Sequence, residues 1–287
     1  MILVTGAAGK TGRAVIRALK RREAAVRALV HRPEQIRAVR EAGAAEVIVG
    51  DLFDAVLLTQ AMADVRAVYH IPPNMHPQEI AMGERVLQAA RDAEVALFVY
   101  HSVLHPQTEK MPHHWQKLRV EERIFESGLD FVILQPTVYM QNIMPYWRDI
   151  VEKGVYRVPY APSTRLTWVD LADVGEAAAI VLTEPGHAGA IYELCGPDTL
   201  TQDQVALILS RVLKRPVRAE KMPLEEWEAR ARAAGLSDYA RETLKRMFLY
   251  YEAYGLWGNA NVLRWLLGRS PTRLEVFVSG LLTDKAR

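Results

Sequence analysis

Three glycines near the start of the chain have the spacing of a turn that binds phosphate groups. Gly6, Gly9 and Gly12 form the pattern Gly-x-x-Gly-x-x-Gly, directly after the apolar run at 2–4 and at the start of a stretch with helical periodicity. In such a unit the first glycine permits a tight turn, the second lets the backbone approach a pyrophosphate, and the third lets helix and strand pack closely. Amide groups at the helix start would bind the negative charge. The pattern predicts a dinucleotide site formed by Gly6, Ala8, Gly9, Lys10, Thr11 and Gly12.

The same glycines allow two other interpretations. An ordinary strand-to-helix turn could keep its glycines for packing alone. The tripeptide Gly9-Lys10-Thr11 also imitates the end of a nucleotide-triphosphate loop, but that motif requires a glycine five residues before Gly9, where Val4 stands. The triphosphate loop is therefore rejected, and the dinucleotide turn is favoured over the packing turn.

The end of the second predicted strand bears on the choice of cofactor. A site that prefers NAD usually offers Asp or Glu there, to bind the ribose 2′-hydroxyl. Here the strand ends in Leu29-Val30-His31-Arg32-Pro33, without a carboxylate. Arg32 could bind a 2′-phosphate through charge-assisted hydrogen bonds, which favours NADP over NAD, while NAD is kept as the second choice. The alternative is a surface arginine ahead of a helix.

Two later loops are expected to complete the cofactor site. Asp51 and Leu52 follow the third predicted strand and would lie near the adenine. Ile71 and Pro72 follow the fourth strand and would run along the ribose and pyrophosphate.

These residues need a scaffold in which strands and helices alternate. Strands are predicted at 2–4, 25–30, 46–49, 67–71, 95–100 and 131–134, and helices at about 11–19, 33–42, from 54, 77–93 and 112–127. Strands separated by helices of this length pair in parallel through right-handed crossovers. The predicted fold class is therefore α/β, with a doubly wound parallel sheet of the Rossmann type.

The regular alternation stops after Pro136. We predict a dinucleotide-binding domain at 1–136, to which about 165–195 returns, and an interleaved, smaller, mainly helical lobe at 137–287. In a doubly wound fold the ligand lies beyond the carboxyl ends of the strands. The later lobe is expected to cover that edge, with the substrate in the cleft between the two.

The composition is that of an ordinary globular protein, with 287 residues of which 50% are apolar and 24% charged. A formal net charge of +2 gives no reason to expect direct binding of nucleic acid or of a membrane. The single Cys195 excludes an internal disulfide, and no cluster of His, Cys, Asp and Glu has metal-ligand spacing. Met1 leads directly into the first strand, and no apolar run approaches membrane-spanning length. We expect a cytoplasmic protein with a small-molecule substrate, and a homodimer is left open.

Further along, the fifth strand is followed by His101-Ser102, and Lys117 lies in the next helix. With the glycine turn, these residues resemble the short-chain dehydrogenase/reductase superfamily. The resemblance is strongest to the atypical branch that contains NmrA-like proteins, isoflavone-reductase-like enzymes and a type of NADPH quinone reductase. It covers nearly the whole chain and is carried by residues 4–12, 26–33, 50–52, 121–136, 140–142, 168–174 and 267–272.

The chain departs from the superfamily at one catalytic position. The resemblance implies a serine after the fifth strand and a Tyr-x-x-x-Lys pair; Ser102 and Lys117 match, but His113 stands where the tyrosine is expected. In the superfamily the tyrosine supplies a proton, and the lysine lowers the pKa of that tyrosine and binds the nicotinamide ribose. An imidazole could donate a proton near neutrality. The alternative, which we favour, is that His113 is only the polar start of a helix.

The predicted second lobe is rich in aromatic side chains, which favours a flat or aromatic ligand. The candidate substrate-binding residues are Tyr139, Asn142, Trp147, Trp168 and Tyr251. These observations predict an NADPH-dependent reductase of a small aromatic or quinone-like carbonyl or enone compound. The alternative is a non-catalytic NADP(H) sensor of the NmrA-like type that acts through a protein partner.

Overall fold

The computed structural model describes residues 1–283. Its first half alternates strands and helices: β1 (Ile2–Val4), α1 (Lys10–Arg21), β2 (Val26–Val30), α2 (Ile36–Ala42), β3 (Glu46–Val49), α3 (Ala55–Met62), β4 (Ala67–His70), α4 (Glu79–Asp92), β5 (Leu97–His101), α5 (Pro112–Phe125) and β6 (Phe131–Pro136). A 3₁₀ turn at Pro33–Gln35 precedes α2.

The second half is less regular: β7 (Val138–Tyr139), α6 (Trp147–Lys153), β8 (Val155–Val158), β9 (Arg165–Val169), α7 (Leu171–Thr183), β10 (Ala190–Leu194), β11 (Asp198–Thr201), α8 (Gln202–Leu213), β12 (Arg218–Lys221), α9 (Leu224–Ala233), α10 (Asp238–Tyr254), α11 (Asn261–Leu267) and α12 (Leu274–Thr283). A 3₁₀ segment covers Met140–Tyr146. The last four residues of the predicted second lobe, 284–287, lie outside the described residues.

The main sheet has seven strands in the order β10-β6-β5-β4-β1-β2-β3, and every neighbouring pair is parallel. The strand order reverses between β1 and β4, which is the point at which doubly wound sheets bind their ligands. The predicted doubly wound α/β fold is therefore confirmed. β5 begins and ends later than predicted, at Leu97 and His101, because residues 94–96 form the turn after α4.

The chain divides into two compact units. The first contains residues 1–108, 113–136 and 171–194, and therefore the whole seven-stranded sheet. Its helices α1 and α7 pack closely because α7 carries Gly175, where an added Cβ would lie 2.7 Å from the Ala14 carbonyl oxygen. The opposite face of the sheet forms an apolar core with α3, α4 and α5; its side chains include Leu3, Val68, Phe98, Tyr100 and Ile133.

The second unit contains residues 109–112, 137–170 and 195–287 as far as they are described. It holds a three-stranded sheet in the order β11-β9-β7 and a parallel pair, β12 with β8. These strands have two to five residues each and were not predicted, since such short runs carry little period-two alternation. Within residues 1–283, none of the helices combines the length and the apolar character that crossing a bilayer requires.

Candidate dinucleotide site and adjoining polar cluster

The turn after β1 needs two of its three glycines for its own geometry. Gly6 has φ of +58°, in the left-handed region that favours glycine, and an added Cβ would lie 2.6 Å from the Ile71 carbonyl oxygen. At Gly12 an added Cβ would lie 2.5 Å from the carbonyl oxygen of Ala7. The first and third glycines therefore allow the turn and the close packing of α1 that the spacing predicts.

Gly9 differs from the other two glycines because a side chain there would require only a small shift of one neighbouring atom. Its φ is −65°, it is exposed, and an added Cβ would meet one atom, the Gly6 carbonyl oxygen, at 3.3 Å. Gly9 is also the N-cap of α1, where no side chain caps the helix and no acidic residue lies in the first turn. The positive end of the α1 dipole is thus exposed beside a residue without a side chain, an arrangement that suits a pyrophosphate.

The loop after β4 is tied to this turn through Thr5. The Ile71 N–H donates to Thr5 Oγ1 at 3.0 Å, and Thr5 Oγ1 also bonds His70 Nδ1 at 2.8 Å. Burial, aided by the positive charge of Lys117, lowers the pKa of His70 to about 3, so the ring is neutral at physiological pH. The hydrogen bond from the Ile71 N–H to Thr5 holds Ile71 beside Gly6, and Pro72 follows it in the chain; both are predicted to border the cofactor.

The loops after β2 and β3 end at the same edge of the sheet as the glycine turn, since all three strands are parallel neighbours. Arg32 is exposed, its backbone N–H donates to Gln35 Oε1 at 3.1 Å, and no described residue forms an ion pair with its guanidinium. Asp51 is exposed and accepts the Phe53 N–H at 2.9 Å, while Leu52 is half-buried. The free guanidinium is compatible with a phosphate ligand.

A buried ion pair fixes Lys117. Its Nζ donates to Glu79 Oε1 at 2.8 Å, and the Tyr100 hydroxyl donates to the same oxygen at 3.2 Å. The ammonium also lies 5.7 Å from the centre of the Tyr100 ring. Burial and the Glu79 carboxylate raise the pKa of Tyr100 well above its ordinary value, so the hydroxyl keeps its proton and remains a donor.

A second buried cluster surrounds Ser102. The Ser102 hydroxyl donates to Glu121 Oε1, and Gln135 Nε2 donates to both carboxylate oxygens at 3.0 and 3.2 Å. Burial raises the pKa of Glu121, although the two hydrogen-bond donors and Lys117 act against it. In this arrangement Ser102 donates its hydroxyl proton in the hydrogen bond to Glu121.

His113 is buried beside a second histidine. It is 6% exposed, its ring meets that of His114 edge to face at a centroid distance of 4.4 Å, and its Nδ1 has no hydrogen-bond partner among the described residues. Burial first, and then His114 and Lys117, lower the pKa of His113 well below its ordinary value. The imidazole is therefore neutral near pH 7, a poor state for a general acid.

The predicted substrate-binding residues all belong to the second unit. Trp147, Trp168 and Tyr251 are buried, Tyr139 is half-buried and Asn142 is exposed. Tyr251 meets Tyr160 edge to face at 6.4 Å. Their roles toward a substrate remain predictions.

Sequence reasoning missed several polar side chains of these clusters. They are Thr5, His70, Glu79, Tyr100 and Gln135, each buried. Thr5, Gln135 and Glu121 were noticed only within the stretches that carry the resemblance, although Glu121 lies four residues after Lys117 and therefore on the same face of α5. That spacing was the one local signal available, because the other partners come from separate strands and helices.

A doubly wound parallel sheet with a glycine-rich turn at its switch point defines a protein of the Rossmann-type, dinucleotide-binding class. Within that class the chain belongs to the NmrA-like family, whose sequence model matches residues 1–277. The resemblance inferred from the sequence is thereby confirmed.

This chain is similar to several known reductases. Quinone oxidoreductase 2 of Escherichia coli strain K12 is 28% identical over 98% of each chain. The structure of an E. coli NADPH-dependent quinone oxidoreductase complexed with NADPH has a TM-score of 0.85 and 28% identity, over 98% of this chain and 100% of that one. An NAD(P)H azoreductase of Xenophilus azovorans is 28% identical over 86% of each chain. The triphenylmethane reductase of Citrobacter sp. complexed with NADP(H) has a TM-score of 0.84 and 26% identity over 97% of this chain and 99% of that one.

Proposed function

We propose that this protein is an NADPH-dependent reductase of a small aromatic or quinone-like carbonyl or enone compound. The observation that carries the proposal is the turn at Gly9, where an uncapped helix N-terminus adjoins a backbone free of side chains. The relatives support it, since their names describe reduction of quinones, azo compounds and triphenylmethane dyes with NAD(P)H or NADPH.

The preference for NADPH over NADH rests on Arg32. The loop after β2 offers this exposed guanidinium and no carboxylate in the stretch 29–33. A 2′-phosphate would gain charge-assisted hydrogen bonds from it, whereas a 2′-hydroxyl gains none of comparable strength. Two of the relatives' structures hold NADPH or NADP(H), in keeping with this assignment.

When bound, the reduced nicotinamide supplies a hydride, and the protein must hold the nicotinamide ring and the acceptor at the distance that hydride transfer requires. Hydride transfer requires the acceptor atom about 3–3.5 Å from the reactive carbon. Lys117 has three N–H donors, of which one is used by Glu79, so the others could bind the hydroxyls of the nicotinamide ribose. We assign Lys117 to cofactor positioning.

In this proposal, neither His113 nor Ser102 supplies the proton that the acceptor takes up after the hydride. His113 is neutral near pH 7 because burial lowers its pKa, and the Ser102 hydroxyl donates to Glu121. A quinone-like acceptor becomes an anion on receiving hydride and can take its proton from solvent. Ser102 would interact with the acceptor only through the lone pairs of its hydroxyl oxygen.

The experiment is NADPH oxidation by the purified protein with a panel of quinones, azo dyes and triphenylmethane dyes. Turnover with at least one of these acceptors, faster with NADPH than with NADH, supports the proposal. Tight NADPH binding without turnover of any acceptor would contradict it, and would favour a sensor that acts through a protein partner.

A further inference from the structure

The position of Lys117 depends on a residue outside the expected catalytic pattern. Glu79 is 1% exposed and the Lys117 side chain is 14% exposed, so both ends of the ion pair are shielded from water. The ion pair joins α4 to α5, and the partner carboxylate therefore fixes where the ammonium lies.

Glu79 is suited to this role by its place in the fold. It is the first residue of α4, where the helix dipole favours a negative charge. One of its oxygens receives both the Lys117 ammonium and the Tyr100 hydroxyl, so two donors from different elements hold the carboxylate in one orientation. Tyr100 is in turn stacked against His70 at a centroid distance of 5.9 Å, which restricts the phenol.

The other titratable groups around the ammonium cannot replace Glu79. They lie on β4, β5 and α5 and are His70, Tyr100, His101, His113, His114 and Glu121. The histidines are neutral near pH 7, since burial lowers the pKa of each. The carboxylate of Glu121 is bonded to Ser102 and Gln135 instead. Among residues 1–283, Glu79 is the carboxylate that contacts Lys117.

We propose that Glu79 is the positioning residue of Lys117, whose carboxylate holds the ammonium at the carboxyl ends of β4 and β5. The proposal rests on the proposed function only where it assigns the ammonium to the cofactor. The ion pair itself is a property of the protein alone and can be followed without cofactor or substrate.

The test compares the unmutated protein with Glu79→Gln, Glu79→Asp and Glu84→Gln. Glutamine keeps the size and a hydrogen-bond acceptor but removes the charge, and aspartate keeps the charge but withdraws it by one methylene. Glu84 is the matched control, since it lies on the same helix in an exposed ion pair with Arg123 at 3.0 Å. The Lys117 Nζ signal is followed by NMR in ¹⁵N-lysine protein at one pH, with Lys117→Arg to assign it.

In Glu79→Gln we expect the Lys117 Nζ signal to shift or broaden, because the ammonium loses the carboxylate that holds it in place. Calorimetry should show NADPH affinity falling at least fivefold in this variant. Glu84→Gln should change neither measurement. An unaltered Lys117 Nζ signal in a folded Glu79→Gln protein would overturn the proposal.

Glu79→Asp separates positioning from general stability and covers the case in which Glu79→Gln does not fold. Aspartate keeps the negative charge but misplaces the ammonium, so the Lys117 Nζ signal should shift and the NADPH dissociation constant should rise about threefold or more. Unchanged NADPH affinity in this variant would contradict the positioning role. Absence of turnover in the unmutated protein would instead count against the reductase, because the Lys117 Nζ signal does not depend on turnover.

Discussion

The hydroxyl of Ser102 donates its hydrogen bond to the carboxylate of Glu121, whose oxygens also receive Gln135 at 3.0 and 3.2 Å. A hydroxyl has one proton, so this bond leaves Ser102 with lone pairs and no donor for a second partner. A serine that fits the catalytic pattern of the superfamily is therefore arranged in this structure as an acceptor.

Ser102→Ala should leave NADPH affinity unchanged and lower turnover by less than about tenfold, the scale of one neutral hydrogen bond. Calorimetry and steady-state kinetics with one quinone check both values. The matched control is Ser127→Ala, another buried serine of the same unit, which donates to the Ile124 carbonyl at 2.6 Å and should leave turnover unchanged. A thousandfold loss in Ser102→Ala would show that the hydroxyl is a donor to the reacting atoms.

Arg32→Ala should weaken NADPH binding by roughly 10- to 100-fold and leave NADH binding nearly unchanged, since a charge-assisted hydrogen bond contributes about 1.5–3 kcal/mol. The measurement is a pair of dissociation constants by calorimetry. Arg37→Ala is the control, because Arg37 is exposed nearby on α2 and pairs with Glu41 at 2.7 Å. Equal affinity of the unmutated protein for NADPH and NADH would refute the role of Arg32.

Gly9→Val should abolish dinucleotide binding without unfolding the protein. The backbone at Gly9 has φ of −65°, which valine adopts, and the added side chain would point into the space beside the helix N-terminus. Gly12→Val is the contrast: its Cβ would lie 2.5–2.6 Å from backbone atoms of Gly6 and Ala7, so that variant should lose thermal stability. Normal NADPH binding by a folded Gly9→Val protein would show that the glycine motif is only a structural turn.

His113→Phe should lower turnover by less than about tenfold, well short of the roughly 10²–10⁴-fold that a general acid contributes. Burial lowers the pKa of His113 well below 6.5. The pH–rate profiles of the unmutated protein and of the variant should therefore have the same shape near pH 6.5. Both profiles are measured with NADPH and a quinone from pH 5 to 9. A thousandfold loss with intact NADPH affinity would identify His113 as the acid.

The buried histidines should make the protein sensitive to acid. The pKa values of His70, His101 and His114 are lowered to about 3 by burial. Between pH 6.5 and 3 the unfolded chain therefore binds protons that the folded protein excludes. The stability that these rings contribute is present above pH 6.5 and is lost as pH falls, by about 1.4 kcal/mol per pH unit for each histidine.

The free energy of unfolding, measured with denaturant at several values between pH 8 and 4.5, should decline below about pH 6.5. His114→Asn should reduce the slope by one proton. Constant stability from pH 7 to 4.5 would show that the rings are not excluded from protonation in the folded protein.

Local patterns in the sequence determined the sheet-forming half of this protein. Apolar runs, helical periodicity and glycine spacing operate over a few residues, which is why β1 to β6 and the turn at Gly6, Gly9 and Gly12 could be predicted. The strands of the second unit could not, because they are short and their pairing joins distant residues such as Val155 and Arg218.

Only the tertiary structure decided the partners of the candidate catalytic residues. Lys117 and Glu79 are 38 residues apart, and Glu121 is reached by Ser102 from just after β5 and by Gln135 from β6. Parallel pairing of β4, β5 and β6 brings these strand ends to one edge of the sheet, where α4 and α5 supply the carboxylates. Sequence spacing does not encode that register, since it results from the packing of the whole sheet against its helices. The sequence therefore determined which residues could do chemistry, and the fold decided which hydrogen bonds and ion pairs each of them forms.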